Sequence, residues 1–73
     1  MTTIDTGMPR VDGEKLKQLR EAQFLSHRDL AREANVSPTT VLNLEAGRVD
    51  AQRRTIRKLA RVLEVDPAEL VEG

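Results

Sequence analysis

The segment from Ser26 to Gly47 leaves the chain the least freedom. Ser26 stands just before His27-Arg28-Asp29. There its hydroxyl can accept the free amide of Asp29, whose carboxylate sits favourably in a first helical turn. Leu30, Ala31 and Ala34 then form an apolar stripe at helical spacing. Asn35, which tolerates a left-handed backbone, stands where that helix must stop. Ser37-Pro38 is a second start signal, a serine cap with proline at the first helical position. Val41 and Leu44 face inward with the aliphatic part of Thr40 at the margin, and Gly47 marks the end. The β-branched run Thr39-Thr40-Val41 is a mediocre helix in isolation, so packing must hold it.

Other helices flank this pair. Asp12 is a reasonable N-cap for a first helix over 13–23, with Leu16 and Leu19 on one face, Lys15, Lys17 and Glu21 outward, and Phe24 and Leu25 closing it. Residues 48–52 read as a loop. Ile56, Leu59, Ala60 and Leu63 follow the i, i+3, i+4, i+7 pattern of an amphipathic fourth helix over 53–64. Val65 is a core candidate. Asp66-Pro67 repeats the cap-plus-proline signature, with Glu69 three residues on as a capping-box glutamate, and Leu70 with Val71 anchors a last turn or two. Residues 1–12 show no period and are expected to be a flexible arm, leaving 13–73 as one domain.

Composition narrows the function. The chain has 73 residues, no cysteine and a single histidine, so no disulfide framework, thiolate site or clustered zinc centre is expected. The carboxylates are spread over exposed faces or used as caps, and no serine can be placed beside His27 with an acid behind it. Neither an enzyme nor a cofactor is expected. No apolar run approaches the roughly 20 residues of a bilayer span. The opening residues lack the basic start and apolar stretch of a secretory signal, so a cytoplasmic protein is expected. Net charge is zero, but its distribution is uneven: Arg48 to Arg61 carries a local excess of five positive charges, and residues 62–73 carry four acids and no base. A neutral protein arranged this way can still present a phosphate-binding face.

Two short helices joined by a tight turn, the second opening on a proline-rigidified cap, have the geometry of a helix-turn-helix. The ordered set of residues is more specific: Leu25-Ser26, Leu30-Ala31, Val36-Ser37, Val41, Leu44-Glu45 and Gly47, then Thr55-Ile56-Arg57-Lys58-Leu59-Ala60, Leu63, Val65 and Pro67. It resembles the Cro/C1-type (XRE) family of helix-turn-helix regulators over roughly residues 13–72. The resemblance implies an all-α, compact five-helix lambda-repressor-like domain. It also implies a transcriptional regulator that binds double-stranded DNA as a homodimer on palindromic operators.

Carried over residue by residue, it gives Arg20 and Glu45 as a buried ion pair tying the first helix to the end of the third. It gives His27, Ser37, Arg48, Arg53 and Arg54 as phosphate contacts, and Pro38, Thr39, Leu42 and Asn43 as the groove-facing side of the third helix. Asn43 can bond bidentately to adenine, and Thr39 and Leu42 can pack on a thymine methyl. Pro38 and Leu42 stand where relatives often carry glutamine or arginine, which implies sparse base readout. Asp50 departs from the basic patch and is expected to pair with Arg53 or Arg54. Val62, Ala68 and Val71 are the dimer candidates, for a weak dimer strengthened on DNA. Phe24, the one aromatic, replaces a residue that is usually small in relatives, and either caps the core or sits exposed as a contact. The alternative is an adaptor or antitoxin-like protein of the same fold that mainly binds another protein.

Overall fold

The computed structural model describes residues 10–72. Four α-helices come in order: α1 (Gly13–Ala22), α2 (His27–Ala34), α3 (Pro38–Glu45) and α4 (Arg53–Leu63). Where the fifth helix is expected, the chain makes a single 3-10 turn, Pro67–Leu70. Val71 limits its length. That residue is extended and forms an antiparallel bridge with Val11. Across it, the Asp12 amide donates to the Leu70 carbonyl at 2.8 Å and the Glu72 amide to the Arg10 carbonyl at 2.9 Å. A longer helix would carry Val71 away from that pairing.

The helix starts obey the local signals. The Asp12 carboxylate accepts from the Lys15 amide, Ser26 Oγ from Asp29, Ser37 Oγ from Thr39 and Asp66 from Ala68. The capping box lies at α2, where the Ser26 amide also donates to Asp29 Oδ2 at 3.1 Å. It does not lie at Asp66, because Glu69 reaches across to Lys15 on α1 instead, at 3.9 Å.

The four helix ends share one device. Each is followed by a residue with positive φ: Phe24 (58°), Asn35 (59°), Gly47 (73°) and Glu64 (61°). The next amide then folds back onto a carbonyl five residues earlier: Leu25 to Arg20, Val36 to Ala31, Arg48 to Asn43 and Val65 to Ala60. This Schellman closure satisfies carbonyls that a helix end otherwise leaves orphaned.

Leu16, Leu30, Val41, Leu44, Leu59, Leu63 and Leu70 are fully buried, joined by Val11, Ala31, Ala34, Ala51, Ile56 and Ala60. Two of these alter the expected organisation. Val11 lies in the core, so residues 10–12 of the expected arm belong to the folded body, while 1–9 lie outside the described residues. Ala51 buries the middle of the loop before α4. Val65 and Val71 are half-buried against the core. Among the described residues, no helix is long and apolar enough to cross a membrane.

Candidate nucleic-acid interface

Helices α2 and α3 are separated by Asn35, Val36 and Ser37, and the left-handed Asn35 makes that reversal possible. Val41 and Leu44 bury one side of α3. The opposite side presents Pro38, Thr39 and Leu42 to solvent, with Leu42 48% exposed, while Asn43 is half-buried. Ser37 is exposed. Its oxygen already accepts from the Thr39 amide, so it meets an outside group as an O–H donor.

Glu45, at the end of α3, is where three helices meet. Its side chain is 6% exposed and accepts a two-pronged hydrogen bond from Arg20 of α1, Nε to Oε2 at 2.6 Å and Nη2 to Oε1 at 3.1 Å. Arg20 also donates through Nη1 to the Leu25 carbonyl at 2.7 Å. The hydrogen bond to Glu45 and the attraction of its charge hold the guanidinium above its ordinary pKa against the effect of burial. His27 of α2 completes the cluster, with Nε2 3.1 Å from Glu45 Oε1. The side chain expected at a phosphate is therefore anchored on its inner side to the ion pair. The sequence holds no signal for this, because the contact depends on how α2 and α3 cross.

Gly13 approaches the same place. A Cβ there would collide with the Glu45 carbonyl oxygen and lie 2.6 Å from that of Leu44, so only glycine lets α1 begin so close to the end of α3.

The basic patch begins at Arg48, just past the α3 closure, and continues with Arg53 and Arg54 at the start of α4; all three are exposed. Helix α4 opens without the side-chain cap found at the other helix starts: Gln52 makes no cap hydrogen bond, and the first turn carries no acid. Its free amides and positive dipole end lie among the arginines, an arrangement that favours an anion. The ion pairs of the described residues include none from Asp50 to Arg53 or Arg54, which corrects that expectation; Asp50 is simply exposed.

The dimer candidates do not form one patch. Ala68 and Val71 line a groove of about 270 Å³ with Arg53, Ile56, Arg57 and Pro67. Val62, nine positions after Arg53 and about two and a half helical turns on, lies on the other flank of α4 and is half-buried against the core. Phe24 does not cap the core: it is 94% exposed.

Residues 13–72 match the family described as the helix-turn-helix domain. No curated protein matches the chain. Among solved structures, the restriction-modification controller protein C.AhdI of Aeromonas hydrophila is 33% identical, over 78% of this chain and 86% of that one, with a TM-score of 0.75. An HTH_3 family transcriptional regulator from Vibrio cholerae is 28% identical over 80% of this chain but only 33% of its own length, with a TM-score of 0.74. SinR, a biofilm master regulator of Bacillus subtilis solved in complex with DNA, has a TM-score of 0.73 over 77% of this chain and 90% of that one. Its 24% identity speaks to the fold alone. The relatives that match are regulators, not enzymes.

Proposed function

From the premise that the chain belongs to the helix-turn-helix domain family, of the Cro/C1 type, we propose that it is a sequence-specific double-stranded DNA-binding transcriptional regulator. In this reading it acts as a homodimer on a (pseudo)palindromic operator. One observation carries the reading: a short helix, held rigidly from behind by the Arg20–Glu45 pair, presents Pro38, Thr39 and Leu42 outward beside an uncapped, arginine-rich start of α4.

The roles divide by chemistry. Thr39, Leu42, Asn43 and the ring of Pro38 meet base edges in the major groove, a surface suited to thymine methyls and adenine. His27, Ser37, Arg48, Arg53, Arg54 and the first amides of α4 grip phosphates, which set register and affinity but not sequence. A single such unit covers half a site, so two copies one helical turn apart are needed for full specificity. The groove at Ala68 and Val71 supplies the contact between copies.

Selection of bound sequences from random duplexes, followed by binding at two salt concentrations, tests this. A palindrome rich in A·T contacts is the expected result. Uniform binding with steep salt dependence would show that the face of α3 does not choose bases. A protein-binding adaptor is favoured by one observation, the 94% exposed Phe24. That reading takes over if no duplex is bound.

A further inference from the structure

His27 offers the outside only one of its two ring nitrogens. Its Nε2 lies 3.1 Å from Oε1 of Glu45, and the ring is 39% exposed. Glu45 is a carboxylate, because both its oxygens accept from the Arg20 guanidinium. An ionised carboxylate can only accept, so the proton of a neutral His27 resides on Nε2. The outer nitrogen, Nδ1, is then a bare lone pair. A phosphate oxygen is also an acceptor, and the two repel. Nδ1 gains an N–H only when the ring carries a second proton and becomes an imidazolium.

The charged surroundings of the ring are mixed. Arg20 and, 3.8 Å behind it, Glu21 face it from α1, and Glu45 faces it from α3. Arg28 and Asp29 come next to it in α2, Asp29 being engaged by the Ser26 amide and Arg32. The positive N-terminal end of α2 lies directly beneath it. A phosphate arriving on the outer side adds a negative charge where there was only solvent, and so favours the second proton.

Resting on the DNA-binding reading above, we infer that His27 binds a DNA phosphate through Nδ1 as an imidazolium, with Glu45 holding its Nε2–H. Where the free ring is neutral, each protomer therefore takes up one proton from solvent as it binds. Glu45 is the positioning residue: by claiming the one proton of the neutral ring, it makes the phosphate contact conditional on the second. A glutamine in this place would lack that condition, since its amide carries two N–H groups at any pH.

The experiment is a titration of a fluorescent duplex, bearing the selected site, at pH 8 and pH 6 and at constant ionic strength. One proton taken up per protomer permits up to about a tenfold change per pH unit, over the range where the ring is neutral in the free protein and protonated on DNA. The expected result is binding at least about tenfold tighter at pH 6, with the ratio falling to near one in His27→Gln. Equal affinity at both pH values, or an unchanged ratio in His27→Gln, overturns the proposal while leaving DNA binding intact. Absence of binding at any pH overturns the functional reading itself.

The single histidine makes a second measurement unambiguous. Nitrogen-15 shifts of the imidazole at pH 8 should place the neutral proton on Nε2, and the titration midpoint should rise when duplex is added. A proton on Nδ1, or an unmoved midpoint, refutes the Glu45 mechanism.

Discussion

Arg20 and Glu45 each bury a charged side chain, 8% and 6% exposed, and what each does is decided by the other. A buried ion pair contributes little net stability, because desolvation offsets the attraction, yet removing one member strands the other. Glu45→Ala or Arg20→Ala should therefore lower the unfolding free energy by about 3–5 kcal/mol in urea titrations. A double replacement by apolar residues of similar volume should recover most of that loss. Gly13→Ala belongs to the same locus: its methyl would press on the backbone carbonyls of Leu44 and Glu45, which cannot move without unwinding the end of α3. Circular dichroism should show a folded protein with a clearly lower Tm. The Arg20–Glu45 pairing was readable from the resemblance. The reason for Gly13 was not, because a glycine needed for close approach carries no φ or turn signature.

At the scale of helices, starts and stops separate what is local from what is not. Caps at Ser26 and Ser37 and stops at Asn35 and Gly47 were legible, since each side chain acts on a backbone group a few residues away. Phe24 and Glu64 were not, because nothing in a phenylalanine or a glutamate marks a left-handed residue. Such residues cost roughly 1–2 kcal/mol in that region. Glu64→Gly should then raise Tm by several degrees, each kcal/mol being worth about 4–8 °C in a domain of this size. Gly47→Ala should lower it.

Asp29 links the α2 cap to pH. Its carboxyl is held below the ordinary aspartate value, first by the Ser26 amide it accepts. The cap thus stabilises fully above the ordinary aspartate range, about pH 4, and its contribution disappears as pH falls through the lower folded value. Asp29→Asn should flatten the acid limb of a stability–pH curve.

Taken whole, the molecule is neutral yet carries a local excess of five positive charges from Arg48 to Arg61, so in the proposed reading its affinity for DNA should be unusually sensitive to salt for a chain with no net charge. If the proposed phosphate contacts hold, removing one of them, as in Arg54→Ala, should reduce the log–log salt slope by about 0.9. In the proposed dimer Val71→Asp should weaken operator binding through loss of the contact between copies, read by analytical ultracentrifugation with and without duplex, while circular dichroism reports whether the fold that Val71 also latches is retained. The family and the order of α-helices were readable from a spaced set of core and cap residues. The final helix was not, because its length is limited by a pairing with Val11, an apolar residue in a segment that has no period of its own.

That pairing has a kinetic consequence. Some helix contacts of this domain join neighbours along the chain, as α2 with α3, the kind that form quickly, but others do not, and Val11 and Val71 stand sixty positions apart. The ring they close costs entropy that only an already compact chain has largely lost. The bridge should therefore form after the rate-limiting step, as a latch on a finished body. In stopped-flow measurements Val11→Ala should leave the refolding rate nearly unchanged and accelerate unfolding, a φ-value near zero. The lifetime of the folded protein would then be set in good part by one valine pair at its edge.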